Sequence, residues 1–167
     1  MIKVSKTKLE GVLLIEPEVF RDHRGEYVEL YNEELYGSHG ITVKFIQDDI
    51  SMSKKNVLRG IHRDPRTWKL ISCLYGAFYF VVFDGDPESA NFGKWQSFTL
   101  SAENRRQVLV PPQYGNGHLV LSDWAVFHYK QSTYYDPKNQ LSYKWNDPKF
   151  NVSWPVPNPI LSNRDSG

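Results

Sequence analysis

Turn-forming residues break this chain into short apolar runs, and that spacing is its strongest structural constraint. Glycine and proline recur between β-rich segments at intervals of roughly 8–12 residues, which points to a sandwich or barrel. The segment "WKLISCLYGAFYFVVFDGD" predicts two strands around Gly76, the second almost wholly apolar, as a strand covered on both faces is. "RRQVLVPP" predicts a strand stopped by Pro111-Pro112, and "HLVLSDWAVFHYKQSTYYDP" two strands joined near Ser122-Asp123. "GVLLIEPEVF", "VKFIQDDISMSKK" and "FGKWQSFTLSAE" add further strands. Helical periodicity is confined to "LYNEELYGSHG", ending at Gly37 or Gly40. The expected fold is all-β, a double-sheet jelly roll with few short helices. The proline-rich segment from Trp145 onward is expected to wrap the barrel as an irregular tail.

A chain of 167 residues suits one domain, here taken as 1–167. With 20 basic and 19 acidic residues the net charge is +1, and no basic stripe is present, so no nucleic-acid partner is expected. The one cysteine, Cys73, cannot form an internal disulfide and sits in an apolar run as a small hydrophobe. "MIKVSKTKLEG" lacks the apolar centre of a leader, and no apolar stretch reaches ~18 residues, so no membrane partner is expected. The expected location is cytoplasmic.

The chemistry-bearing residues narrow by elimination. The five histidines are His23, His39, His62, His118 and His128, with no His-x-His among them. A catalytic metal needs three or four convergent ligands, so no metal is expected. There is no Gly-x-Ser-x-Gly elbow and no phosphate-binding glycine loop. If phosphate is bound, arginines must do it. Arg24 in "FRDHRGEYVEL" and Arg59 in "LRGIH" each precede a glycine, which lets the backbone turn closely around an anion. Either alone is more often a surface residue. For acid–base work, histidine is the side chain whose ordinary titration spans neutral pH, so His62 is a candidate base. Asp165 is a candidate orienter and Tyr129 a candidate acid. Ordinarily a tail aspartate is a solvated charge and a strand tyrosine is core or rim.

Eight segments in order carry a resemblance: "FRDHRGEYVEL", "FIQDDISMSKKNVLRGIH", "KLISCLYGAFYFVVFD", "SANFGKWQSFTLSAEN", "VPPQYGNGHLVLSD", "YKQSTYYDP", "WNDPKFNVSWP" and "PILSNRD". From about residue 11 to 165 the chain resembles the dTDP-4-dehydrorhamnose 3,5-epimerase family. The resemblance implies a cupin-type jelly roll without metal or other cofactor, usually a homodimer. It implies a nucleotide-linked 4-keto-6-deoxy sugar as substrate, inverted at C3, C5 or both through an enolate. Carried over by position, His62 would abstract the proton, Asp165 would fix its tautomer, and Tyr129 would reprotonate from the opposite face. Lys69 would stabilise the enolate oxygen. Arg24 and Arg59 would hold the diphosphate, Gln47 and Glu29 would line the nucleotide pocket, and Tyr135 would stack on base or sugar. Residues near Arg24 and Glu29 would reach the neighbouring subunit's site.

Some positions depart from that family. "PPQYGNGHLVL" places Asn116 at the usual histidine and His118 at the usual aromatic. Asn116 can donate to a ketone oxygen but cannot carry a proton. Arg63-Asp64 follow the base where an aromatic and Gln are common, Trp68 stands where Gln is common, and Asp49 stands where Asn is usual. The sugar end of the pocket is therefore altered more than the phosphate end. Branches of the family invert C3 only, C5 only or both, and some act on GDP-linked 4-keto-6-deoxy-heptoses in capsule biosynthesis. Two other readings stay open: a keto-sugar isomerase or dehydratase, and a non-catalytic sugar-binding jelly roll.

Overall fold

The structure, a computed structural model, describes residues 1–167. Its thirteen strands are β1 Ile2–Lys6, β2 Leu13–Pro17, β3 Val19–Asp22, β4 Gly25–Val28, β5 Gln47–Lys54, β6 Leu58–Arg63 and β7 Lys69–Tyr75, then β8 Ala77–Asp84, β9 Trp95–Ser101, β10 Gln107–Val110, β11 Tyr114–Val120, β12 Trp124–Gln131 and β13 Leu141–Ser142. There are two short α-helices, α1 Glu33–Ser38 and α2 Asn163–Ser166. No helix is long and apolar enough to cross a membrane.

A six-stranded sheet in the order β1-β2-β10-β7-β12-β5 faces a five-stranded sheet in the order β13-β6-β11-β8-β9. This is the double-sheet jelly roll of the cupins. The space between the sheets is filled by alternate residues, among them Phe78, Phe80 and Val82 of β8, Ile71 and Cys73 of β7, and Ala125 and Phe127 of β12. Cys73 is buried, in line with its apolar surroundings.

The continuous apolar run of β8 has a direct structural cause. Val81 and Phe83, which alternate with the inward residues, are also fully buried. Phe83 packs on Tyr143, Phe92 and Phe150 at centroid distances of 5.0, 6.2 and 4.6 Å. Tyr79 meets Trp154 at 5.9 Å. The tail thus covers the outer face of β8, and the strand is apolar on both sides because both sides are dry. Burying a side chain the size of Phe83 contributes about 1.5–3 kcal/mol, so tail and barrel stabilise one another.

The expected strands and helix are present, with Asn32 capping α1 through a hydrogen bond from the Leu35 amide at 3.0 Å. Elements that escaped the sequence reading are β1, the β3–β4 hairpin, the two-residue β13 and the short helix α2. β1 is an edge strand whose register with β2 runs from Ile2↔Pro17 to Lys6↔Leu13. β3 and β4 form a separate hairpin, with Phe20 and Tyr27 exposed, tied to the segment before β10 by an ion pair between Glu26 and Arg105.

Candidate active site

Between the two sheets lies a cavity of about 330 Å³, within the range of small-molecule sites. One wall is the five-stranded sheet, which presents Arg59 and His62 from β6 and Asn116 and His118 from β11. The other is the six-stranded sheet, which presents Ser51, Lys69, Phe127, Tyr129 and Gln131. Tyr135, Gln140 and the tail residues Ser162, Arg164 and Asp165 close it.

Simple strand alternation does not put Arg59 and His62 in one cavity, because residues three apart point to opposite faces. The register supplies the missing step. Asn116 pairs with His62 and His118 with Arg59, so two steps on β11 are spanned by three on β6, a β-bulge. The bulge rotates β6 by one residue and turns both side chains inward. Gly60 lies within it at φ +118°. A Cβ there would stand 2.7 Å from the Asn116 carbonyl oxygen and 2.7 Å from the Gly117 Cα, so glycine is the residue that fits.

Asp165 arrives from 103 residues away. The tail hydrogen-bonds to the start of β6: the Leu58 amide donates to the Ile160 carbonyl at 2.9 Å, and the Ile160 amide to the Asn56 carbonyl at 2.8 Å. Ser162 then caps α2, accepting from the Asp165 amide at 3.2 Å while its hydroxyl donates to Asp165 Oδ2 at 3.1 Å. This places Asp165 Oδ1 2.6 Å from His62 Nε2. The carboxylate's side chain is 4% exposed. An N–H on Nε2 donating to Asp165 leaves a bare lone pair on Nδ1, the form a base needs. Burial alone would raise the Asp165 carboxyl. Hydrogen bonding and charge from His62, with the Ser162 and Gly60 donors, outweigh it and hold the group below the usual carboxylate range.

Across the cavity, the Tyr129 hydroxyl makes no hydrogen bond within the chain. Burial first, then the neighbouring Asp49 and Tyr135, raise its pKa and keep it protonated, with Arg59 opposing. Asp49 is the residue directly across β5 from Tyr129. Half-buried Lys69 is pushed down to about 8 by desolvation, partly countered by Asp64 and reinforced by Arg164. Arg59 Nε donates to Ser53 Oγ at 3.0 Å, which ties one wall to the other.

His62, Asp165, Tyr129, Lys69, Asn116, Arg59 and Tyr135 therefore converge on one cavity. Gln47 stands behind it, accepting from the Tyr135 amide at 2.9 Å and donating to Asp49 Oδ2 at 2.7 Å. Arg24 and Glu29 do not line it. Arg24 lies in the β3–β4 turn, exposed and paired with Asp22 at 2.6 Å, and Glu29 follows β4, also exposed. Residues the sequence reading left out are Arg164, which donates to Ser142 Oγ at 2.9 Å, and Gln131, Gln140, Ser51 and Ser162. For Arg164 and Ser162 a signal was available: both stand within three residues of Asp165.

Comparison with known proteins gives a consistent picture. The family model described as dTDP-4-dehydrorhamnose 3,5-epimerase matches residues 6–167. An Escherichia coli K12 protein of that description is 41% identical over 98% of this chain and 91% of its own. A solved dTDP-6-deoxy-D-glucose-3,5-epimerase from Legionella pneumophila, in complex with dTDP-4-keto-L-rhamnose, superposes with a TM-score of 0.94. It is 35% identical, and the match covers 99% of this chain and 90% of that one. A 3'-monoepimerase from Streptomyces bikiniensis, in complex with dTDP-quinovose, superposes with a TM-score of 0.90 at 32% identity, covering 96% and 83%.

Proposed function

We propose, from the premise that the chain belongs to the dTDP-4-dehydrorhamnose 3,5-epimerase family, that it inverts C3, C5 or both of a nucleotide-diphosphate-linked 4-keto-6-deoxy sugar. The observation that carries this reading is the His62–Asp165 contact of 2.6 Å on one wall of a cavity whose other wall holds Tyr129.

The C–H bonds at C3 and C5 flank a ketone, so loss of either proton gives an enolate. His62 Nδ1 takes the proton, and Asp165 stabilises the imidazolium that forms. Negative charge develops on the C4 oxygen, where the Lys69 ammonium and the Asn116 amide are the available donors. Tyr129 returns a proton from the opposite face, which inverts the centre. Arg59, with Arg164 at the cavity rim, supplies positive charge for the diphosphate, and Tyr135 a ring for stacking. C4 has the same oxidation state before and after, so no electron carrier enters the balance. The single free cysteine suits a reducing compartment, and the cytoplasm is the location we assign.

A homodimer completes the reading. Ile50, Met52, Tyr75 and Trp124 are exposed on the outer face of the β5–β12–β7 region, and Phe20 and Tyr27 on the hairpin. A second copy on this face would bury them and carry the hairpin, with Arg24 and Glu29, toward the partner's cavity. Mixing Arg24→Ala with His62→Ala protein tests this: shared sites restore activity in hybrids, and self-contained sites leave the mixture inactive.

The reaction itself is tested with 4-keto-6-deoxy hexose and heptose, each linked to dTDP or GDP, in D₂O. Deuterium at C3 or C5 with new proton coupling constants supports epimerisation and names the centre. A product with a moved or lost oxygen substituent indicates an isomerase or dehydratase. Nucleotide binding without exchange on any sugar refutes the reading in favour of a sugar-binding protein.

A further inference from the structure

Two buried polar side chains in the cavity wall lack partners. Asn116 is 9% exposed and its Oδ1 accepts no hydrogen bond; His118 is 3% exposed and its Nε2 has none either. They stand two residues apart on β11, so they share one face. His118 is pinned by a parallel stack on Phe127 at 4.0 Å and 7°, with Phe78 at 5.2 Å. A buried polar atom without a partner costs about 1–3 kcal/mol, and two side by side in a ligand cavity call for a ligand group.

The residue types indicate which group. An amide offers one acceptor oxygen and a donor NH₂, and a neutral imidazole offers one bare nitrogen and one N–H. The His118 imidazole is neutral: burial, then the charge of Arg59, push its pKa down to about 3. Both side chains therefore donate and accept. An anion only accepts and would leave the acceptors orphaned; a methyl group would satisfy nothing. A hydroxyl both donates and accepts. A half-turn of the Asn116 amide exchanges Oδ1 for the NH₂, and a half-turn of the His118 ring exchanges Nε2 for Cε1 and Nδ1 for Cδ2, in neither case moving the backbone.

The register indicates where on the sugar. Asn116 is directly across from His62, the proton acceptor, and His118 is directly across from Arg59, the phosphate ligand. The wall between them follows the substrate from the phosphate-bearing carbon to the carbon that loses its proton. This inference rests on the proposed epimerase reading with proton loss at C3, and those carbons are then C1 and C3. We propose that His118, with Asn116 beside it, is a specificity-determining residue that hydrogen-bonds the C2 hydroxyl of the sugar.

The test compares 4-keto-6-deoxyglucose with its 2-deoxy counterpart, each offered on dTDP and on GDP, by kcat/KM for deuterium exchange. Wild-type protein is expected to favour the hydroxylated sugar by about 10- to 100-fold. His118→Phe keeps the stack on Phe127 and removes the polar atoms. It should lose most of that preference, with the loss falling on the hydroxylated sugar. His118→Gln, which restores a donor and an acceptor, should recover part of it, and His118→Leu gives a second apolar variant should the phenylalanine not fold. Equal preference in wild type and His118→Phe overturns the subsite and leaves His118 as a packing residue. Exchange on neither sugar by the wild type overturns the epimerase reading, and the subsite with it.

Discussion

The two walls of the cavity hold their reactive groups by different means. On the five-stranded wall, His62 depends on a carboxylate from a four-residue helix 103 positions away in the chain. On the six-stranded wall, Tyr129 depends on β12 alone, a strand paired on both sides by β5 and β7. On the proposed roles, the base would be built from a strand plus an appended segment, whereas the acid would be built into the sheet. The chemistry explains the asymmetry. A base must bind a proton and let it go, so it needs a counter-charge that stabilises the protonated form. An acid that gives up its proton only to a carbanion needs to stay protonated until then, and burial achieves that.

This difference can be broken most sharply at His62. His62→Ala should lower proton exchange at least ~10²–10⁴-fold while nucleotide binding persists; near-normal exchange would remove the base from His62. Next in size is Asp165→Asn. It keeps an oxygen for Nε2 but removes the charge, and a hydrogen bond to a charged group contributes about 1.5–3 kcal/mol, so exchange should fall roughly 10- to 100-fold. Because the folded-state carboxyl lies below its unfolded value, its contribution to tail docking is complete above about pH 4. It is lost as pH falls through the lowered value, and a tail-sensitive fluorescence probe titrated downward should report this. If docking instead weakens on approaching neutral pH, the sign of the pairing is wrong.

A smaller effect separates the walls from each other. Tyr129→Phe removes the returning proton but not the abstraction step, so inversion should fall about tenfold more than exchange. Equal losses would mean that the tyrosine orients the substrate. The smallest effect is a pH limb. Lys69 loses its ammonium as pH rises through about 8, so turnover should decline above that pH. Lys69→Arg, always charged, should move the decline upward even if its rate is lower, and an unmoved limb would assign it to another group.

Residue types alone singled out His62, Asp165, Tyr129, Arg24 and Arg59, each against a more ordinary reading, whereas Lys69, Asn116, Gln47, Glu29 and Tyr135 came only through the family resemblance. Strands announced themselves through breakers and alternation, and the two-sided burial of β8 showed in its unbroken apolar run. The resemblance put His62 and Arg59 at one site, but strand alternation does not, because their shared inward placement depends on a bulge between β6 and β11 that only pairing reveals. The edge strand β1 was missed because five residues with two lysines carry little pattern. His118 could be seen as a departure, yet its lack of a partner follows from the packing of Phe78 and Phe127 around it. Arg24 and Glu29 show the reverse: their motif is conspicuous, but in a single chain they stand outside the cavity.

The docking of the tail has a kinetic consequence. A four-residue helix has no stability of its own, and the tail's attachment to β6 consists of a single parallel bridge and a few hydrogen bonds. Detachment of the segment from Ile160 onward, which leaves Phe150 and Trp154 on β8, is therefore a local opening that keeps both sheets intact and costs less than global unfolding. The fraction of competent molecules follows this partial equilibrium and not the melting of the barrel. In mild urea, turnover should fade while the circular dichroism of the sheets is still native, and the amides at Leu58 and Ile160 should exchange with solvent ahead of those in β8 and β11.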